Sequence, residues 1–257
     1  MMPRHARETL LLLFTLVLGA PARADDLVRT IQAVKPSVVG IGTYQRTRSP
    51  AVQFVATGFV VGDGRSVITN AHGIPANLDL ANMETLGVVI GNRGKVEFRP
   101  ATVVARDPAH DLAHLRIEGA ALPALALGGP ADVAEGQSLA FTGFPLGMVL
   151  GLHAATHRAS LAVIAPIVLP ALSSGKLNSR TVSRLSAPAF PIYQLDATAY
   201  PGNSGSPVYD PQTGVVHAVI NMVLVKGLKE SAISTPSGIS YAIPVKHVRD
   251  LLEQAAP

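Results

Sequence analysis

Ser37-Val38-Val39-Gly40-Ile41-Gly42-Thr43-Tyr44, then Val52-Gln53-Phe54-Val55-Ala56-Thr57-Gly58-Phe59-Val60-Val61, then Ser66-Val67-Ile68-Thr69 form the stretch on which the fold turns. Each run is short and rich in β-branched and aromatic residues, and Gly, Pro, Asn or Asp punctuate the gaps between them. The same grammar continues through Leu86–Ile90, Lys95–Arg106, Leu112–Ile117, Ser138–Thr142 and Ser160–Pro166. It resumes at Ile192–Asp196, Pro207–Tyr209, Val215–Leu224 and Ile239–Ile243. Many short strands joined by turns argue for an all-β chain, an antiparallel barrel or sandwich rather than βαβ units.

Two helices bracket this β region. Asp25 to Val34 carries apolar residues at Leu27, Ile31 and Val34, and Lys35-Pro36 stops it. Val245–Gln254 places Val245, Val248, Leu251 and Leu252 near helical spacing. Two barrels meeting near Gly128–Gly136 would use the length well. Leu161–Leu172 is apolar, but Pro166 and Pro170 break it, and it falls short of the roughly 20 residues a membrane span needs. Ser173–Ser186 reads as an exposed polar loop.

Composition narrows the function classes. The 257 residues are 48% hydrophobic and 15% charged, which supports a buried core and argues against disorder. There is no Cys, so disulfides, thiolate metal sites and a cysteine nucleophile are all excluded. Arg4, His5 and Arg7 precede the apolar run Leu10–Ala20, and Ala22-Arg23-Ala24 has the small-x-small form of a cleavage site. That is the pattern of a signal peptide over residues 1–24, with a mature start at Asp25 and an exported, periplasmic or secreted product. Arg4, Arg7, Arg23 and Glu8 leave with it, lowering the formal charge from +4 to +2. No basic run carries interleaved aromatics, so nucleic acid is not an expected partner, and neither is a membrane after cleavage.

Three segments carry chemistry. Tyr200-Pro201-Gly202-Asn203-Ser204-Gly205-Ser206-Pro207 is a glycine-flanked serine on a tight turn. Such a turn presents the hydroxyl of Ser204 while the backbone N–H groups of Gly202 and Ser204 converge as an oxyanion hole. The bland alternative is a β-turn of the kind common in all-β proteins. Ser206 stands where a G-x-S-x-G elbow would have its last glycine, so the α/β-hydrolase pattern does not fit. Ser66 to Ile74 is a β-run that ends at His72, a base at a strand mouth. Asp107-Pro108-Ala109-His110-Asp111 opens the strand Leu112–Ile117, and Asp111 could hold the Nδ1 proton of a histidine. Asp107 beside Pro108 has the look of a turn cap. His110 and His114 lie four apart, about 13 Å along a strand face, too far to share one metal ion. The order His, Asp, Ser is that of the chymotrypsin arrangement.

On these residues the chain resembles the protease domain of the HtrA/Deg family of trypsin-like serine proteases. Thr57-Gly58-Phe59-Val60-Val61 with Ile68-Thr69-Asn70-Ala71-His72 is similar to its histidine region, and Asp111–Ile117 to its aspartate strand. Leu122–Gly128 and Ala140–Gly147 resemble its inter-barrel stretch. Asp196-Ala197, Pro201–Gly205 and Gly238-Ile239-Ser240-Tyr241-Ala242-Ile243-Pro244 resemble its second barrel. The resemblance runs from about Leu27 to Leu252. It implies two antiparallel six-stranded β-barrels of chymotrypsin type, spanning about 37–128 and 138–244 within one protease domain over residues 25–257. It implies His72 as base, Asp111 as orienting acid and Ser204 as nucleophile, acting on polypeptides without a cofactor or a metal.

Three departures stand out. Gly73 replaces a larger apolar residue behind the histidine. Ser206 replaces a glycine two beyond the nucleophile, a form that extracellular glutamyl endopeptidases share. The family's usual C-terminal PDZ domain has no counterpart here, so PDZ-gated activation is not carried over. By the resemblance the substrate pocket involves Thr198, Ala199, Tyr200, Ile220, Asn221 and Met222, of which Ala199, Ile220 and Met222 suggest an apolar pocket for small or medium aliphatic residues. The rival readings are a catalytically silent trypsin-fold peptide binder and a secreted glutamyl-endopeptidase-like protease.

Overall fold

The runs that open the β region pair along their whole lengths. β1 (Val38–Tyr44) lies antiparallel to β2 (Val52–Val61), with Val38 opposite Phe59 and Tyr44 opposite Val52. β2 pairs with β3 (Ser66–Asn70), and β3 with β6 (Leu112–Ile117) in a register that sets Asn70 opposite Leu112. β4 (Thr85–Asn92) and β5 (Lys95–Asp107) complete the order β1-β2-β3-β6-β5-β4, which closes on itself as a barrel. A second closed barrel follows in the order β10-β11-β12-β9-β8-β7. Its strands are β7 (Ser138–Gly143), β8 (Ala155–Pro166), β9 (Pro191–Asp196), β10 (Pro207–Tyr209), β11 (Val216–Ile220) and β12 (Ile239–Pro244). The computed structural model describes residues 26–92, 95–129, 133–147, 151–166, 190–221 and 238–254.

The expected fold class is therefore the observed one: two six-stranded antiparallel barrels with short flanking helices, α1 (Asp26–Val34) and α2 (Val245–Gln254). Most strand bounds fall within two residues of the sequence reading. β8 and β11 are the exceptions, and β8 starts at Ala155 rather than Ser160. Its first half, Ala155-Thr156-His157-Arg158-Ala159, has no apolar signature, and only the pairing with β7 (Gly143 opposite Ala155) makes it a strand. β11 ends at Ile220 rather than Leu224, whose position lies outside the described residues. The expected signal segment and the loop Ser173–Ser186 lie outside them as well.

Three apolar clusters explain why several strands read as continuous hydrophobic runs. Val60 and Val67 point into the first barrel with Ile41 and Leu115. Leu139, Phe141, Leu195 and Ile220 fill the second. The alternate residues Phe59, Val61 and Ile68 face outward, and there they meet Ala140, Phe144, Tyr209, Val216 and Val219 of the other barrel. Leu27 and Val34 of α1 and Val248 and Leu251 of α2 seal the same seam. A strand buried on both faces loses the in-out alternation of a half-solvated one. Each fully buried side chain such as Phe59 contributes about 1.5–3 kcal/mol. The connector is stitched to both barrels: Val61 bridges Leu125, and Leu127 bridges Val216. Arg249 of α2 donates to the carbonyls of Leu127 (2.6 Å) and Gly128 (2.8 Å).

Candidate active site

β3 and β6 are neighbours, so the residues just past their paired ends are brought together. His72 sits in a single 3-10 turn, Ala71–Gly73, beyond β3. Asp111 sits in the turn before β6 with φ +54, the left-handed region that Asp and Asn tolerate best. Asp107 caps that turn, accepting from the N–H groups of Ala109 (3.0 Å) and His110 (3.1 Å). The Asp111 carboxylate faces His72 with both oxygens. Oδ2 lies 2.6 Å from His72 Nδ1, and Oδ1 accepts the His72 backbone N–H at 2.9 Å. Asn221, just past β11 and itself buried, donates its Nδ2–H to Oδ2 at 2.9 Å. Burial alone would raise the Asp111 pKa. The bond and charge of His72, with the Asn221 amide, more than offset it and hold the carboxyl below its ordinary value. Asp111 is 6% exposed and stays ionised in that setting.

Ser204 approaches from the second barrel. Its turn is held by Asn203 N–H to the Tyr200 carbonyl (2.9 Å), Ser206 N–H to Asn203 (3.0 Å) and Gly205 N–H to Ile220 (2.9 Å). Across the seam, the Thr57 N–H donates to the Ser204 carbonyl at 2.8 Å. The Thr57 hydroxyl donates to the Gly202 carbonyl at 2.6 Å and accepts the Phe144 N–H at 3.1 Å. Thr69 of β3 donates its hydroxyl to the Thr57 carbonyl at 2.7 Å. Two hydrogen bonds thus link the Ser204 backbone to β3, the strand that leads into the His72 turn. A methyl added at Gly205 or Gly73, the residues following Ser204 and His72, would stand 2.7 or 3.7 Å from that same Thr69 oxygen. Among the described residues no hydrogen bond runs from the Ser204 hydroxyl to the His72 imidazole. Such bonds are commonly long in unliganded sites and tighten when substrate arrives.

The two sequence departures have local explanations. A Cβ on Gly73 would meet the Ala56 methyl at 2.8 Å, so the space behind His72 is filled from β2 instead. A Cβ on Gly143 would meet Ser206 Oγ at 2.0 Å, so the serine is accommodated because position 143 is glycine. Gly202 has φ +99, and a side chain there would collide with the Phe144 carbonyl at 2.3 Å.

The expected substrate-pocket residues are dispersed in role. Ala199 and Ile220 belong to the second barrel's apolar core, and Thr198 and Tyr200 are half-buried beside it. Asn221 turns its amide to Asp111, an orienting contact the sequence reading did not assign. Met222 lies outside the described residues. One contributor went unnoticed in the sequence. Thr57 stood in plain sight in the Thr57-Gly58-Phe59 motif, but its cross-seam bonds have no local signature. His157 lies in the polar half of β8, stacked on Phe141 at 4.7 Å with its ring 6.4 Å from that of Tyr200.

An imidazole pair forms at the residue before Asp111. His110 stacks on His247 of α2 at 3.7 Å, and Phe190 packs edge-on against both. Burial, then the neighbouring charges of His110 and Lys246, push the His247 pKa down to about 4, against the opposing pull of Asp250 and Asp107. In the unfolded chain this group binds its proton near pH ~6.5, whereas in the folded protein it stays neutral until about pH 4. Stability from this residue is therefore complete above that upper value and lost as pH falls through the window, by about 2 kcal/mol once solvent screening trims the roughly 3 kcal/mol of the full shift. Burial also lowers the pKa of His114 and His157, so the comparison must be with His247→Leu. Urea unfolding from pH 7 to pH 4 should show a steeper loss in the native protein than in the variant. Equal slopes would disprove it.

With this geometry in view, the comparisons are specific. A family model described as a trypsin-like peptidase domain matches residues 56–219. A probable periplasmic serine endoprotease, DegP-like, of Pseudomonas fluorescens is 25% identical over 288 residues, covering 96% of this chain and 52% of that protein. Mitochondrial serine protease HTRA2 of Drosophila pseudoobscura pseudoobscura is 29% identical over 204 residues, 78% of this chain and 39% of that one. The chain thus spans about half the length, or less, of these curated relatives. Among solved structures, the active form of the Rv3671c protease of M. tuberculosis superposes with a TM-score of 0.64. It is 22% identical and covers 93% of this chain and 88% of that one, a likeness of fold.

Proposed function

The chain belongs to the trypsin-like peptidase domain family, and from that premise we propose that it is an HtrA/Deg-like serine endopeptidase acting on exported or unfolded polypeptides. His72 removes the Ser204 hydroxyl proton as Oγ bonds to the substrate carbonyl carbon. The N–H groups of Gly202 and Ser204 receive the developing oxyanion. His72 then returns the proton to the departing amine as the C–N bond breaks, and water repeats the sequence to free the acid. Asp111 keeps the imidazole in the right tautomer and steadies the imidazolium. The observation that carries this reading is the carboxylate of Asp111, buried and accepting from His72 twice and from Asn221 once.

Export belongs to the same proposal. The apolar segment Leu10–Ala20 with its Ala-x-Ala end supports it, as do relatives named periplasmic, although others are named mitochondrial. The aliphatic preference expected on the acyl side of the cleaved bond rests on the residue types at 198–200 and 220–222.

One experiment reads the reaction and the processing together. A fluorophosphonate probe should label the expressed protein on Ser204 and leave Ser204→Ala unlabelled, with the amino terminus of the labelled protein at Asp25. A folded native protein that takes no label would favour the silent peptide-binding reading, and an intact residue 1–24 segment on exported protein would remove the signal assignment.

A further inference from the structure

An open groove of about 620 Å³ lies against the serine turn. Its lining includes Pro50, Val52 and Phe54 of the first barrel, Leu146 beyond β7, and Pro201-Gly202. The expected acyl-side residues Thr198, Ala199, Tyr200 and Ile220 take no part in it. The groove therefore meets the reaction centre through Gly202, whose N–H is a proposed oxyanion donor, and opens toward the first barrel. That barrel also bears His72, the group that protonates the departing amine. We infer that this groove is a specificity site for the leaving side of the substrate, taking large apolar side chains at the first two positions after the cleaved bond.

The chemistry of the walls selects that class. Leu146 and Val55 stand 37% and 39% exposed at the rim, an apolar surface with nothing over it among the described residues. Arg48 is the charged side chain of the lining; both of its Nη groups are committed within the fold, and its Nε–H is buried without a partner among the described residues. Nη1 donates to Glu84 (2.8 Å) and Gln53 (3.1 Å), and Nη2 to the carbonyls of Thr43 (2.9 Å) and Ala51 (3.1 Å). With that charge paired, an acidic side chain entering the groove would lose water without gaining a partner. The site is also shaped in advance. Phe54 packs edge-on against Phe144 at 5.8 Å, and a side chain at Gly147 would strike its ring at 2.7 Å. The volume lies within the ordinary range of roughly 300–1,000 Å³ for ligand pockets.

The inference rests on the endopeptidase reading, so the test separates the two. Peptides with Val fixed on the acyl side are varied to Phe, Leu, Gly or Asp at the two leaving positions, beside a Val nitrophenyl ester that has no leaving-side residues. Phe and Leu should raise kcat/KM about tenfold to a hundredfold over Gly and Asp, as for other apolar subsites. In Leu146→Asp that ratio should fall to one or below. The backbone permits this variant, because Leu146 has φ +57, where Asp is at ease. Ester turnover with a flat leaving-side profile would overturn this inference and leave the protease reading standing, whereas absence of ester turnover and of probe labelling would overturn both. If Leu146→Asp keeps the preference but changes the oligomeric state, the groove joins copies of the chain and the inference fails.

Discussion

Asp111→Asn is expected to lower kcat by about 10⁴-fold with KM little changed and the fold retained, as in the serine-histidine-aspartate template, at a cost of about 1–3 kcal/mol for the buried donors left unpaired. The substitution suits the backbone, since Asn tolerates the left-handed φ of +54 as well as Asp does. The damage is in hydrogen-bond polarity. The carboxylate accepts from the His72 N–H on one oxygen and from His72 Nδ1 and Asn221 on the other. An amide has one oxygen to offer. With its NH₂ toward Nδ1, it opposes the Asn221 amide and forces the His72 proton to Nε2, where the ring cannot accept from serine. With its NH₂ toward the backbone, it meets an N–H head-on. Steady-state kinetics on a peptide, with circular dichroism of the same sample, measure both halves. A loss under tenfold would show that Asp111 does not set the tautomer of the base.

Gly205→Ala should be the most damaging single methyl in the serine turn. The added Cβ would lie 2.0 Å from the Thr57 carbonyl oxygen and 2.7 Å from Thr69 Oγ1, the two atoms of the hydrogen bond that joins β3 to β2. Relief requires Ser204 to back away from β2, breaking the 2.8 Å bond from Thr57 N–H to the Ser204 carbonyl. The positive φ of +87 adds about 1–2 kcal/mol of its own. Gly119→Ala isolates that last contribution, because Gly119 has φ +84 and no atom within 4 Å of the added methyl. Gly205→Ala is expected to cost about 3 kcal/mol or more, a drop of roughly 6–12 °C in Tm for a domain of this size, and to slow probe labelling at least tenfold. Gly119→Ala should cost less than half of that and label normally. Equal melting shifts with undiminished labelling would mean that the seam yields freely, and the coupling of Ser204 to the His72 strand through Thr57 and Thr69 would then carry no weight.

How much of this was legible beforehand depended on the range of the interaction. Val52–Val61 and Leu112–Ile117 announced themselves as strands, and Val245–Gln254 as a helix, because residues next to or one turn from each other share a local geometry. Ala155–Ala159 did not, since its strand character comes from pairing with Ser138–Gly143 rather than from its own side chains. The departures at Gly73 and Ser206 had no partner in a linear reading and are matched in space by Ala56 and Gly143.

By itself the sequence determined the β-rich class, the two bracketing helices and the order of a histidine, an aspartate and a glycine-flanked serine. All of these are written in runs of a few adjacent residues, where turn residues and apolar spacing act directly on the backbone. Tertiary structure alone decided that β3 and β6 lie side by side and so set His72 against Asp111. It alone decided that Asn221, 110 positions away, finishes the carboxylate's shell, and that Thr57 ties the Ser204 turn to the opposite barrel. Those contacts depend on how each barrel closes and on the apolar seam that locks one to the other. Closure is settled by the burial of the whole chain at once, so no single segment encodes it.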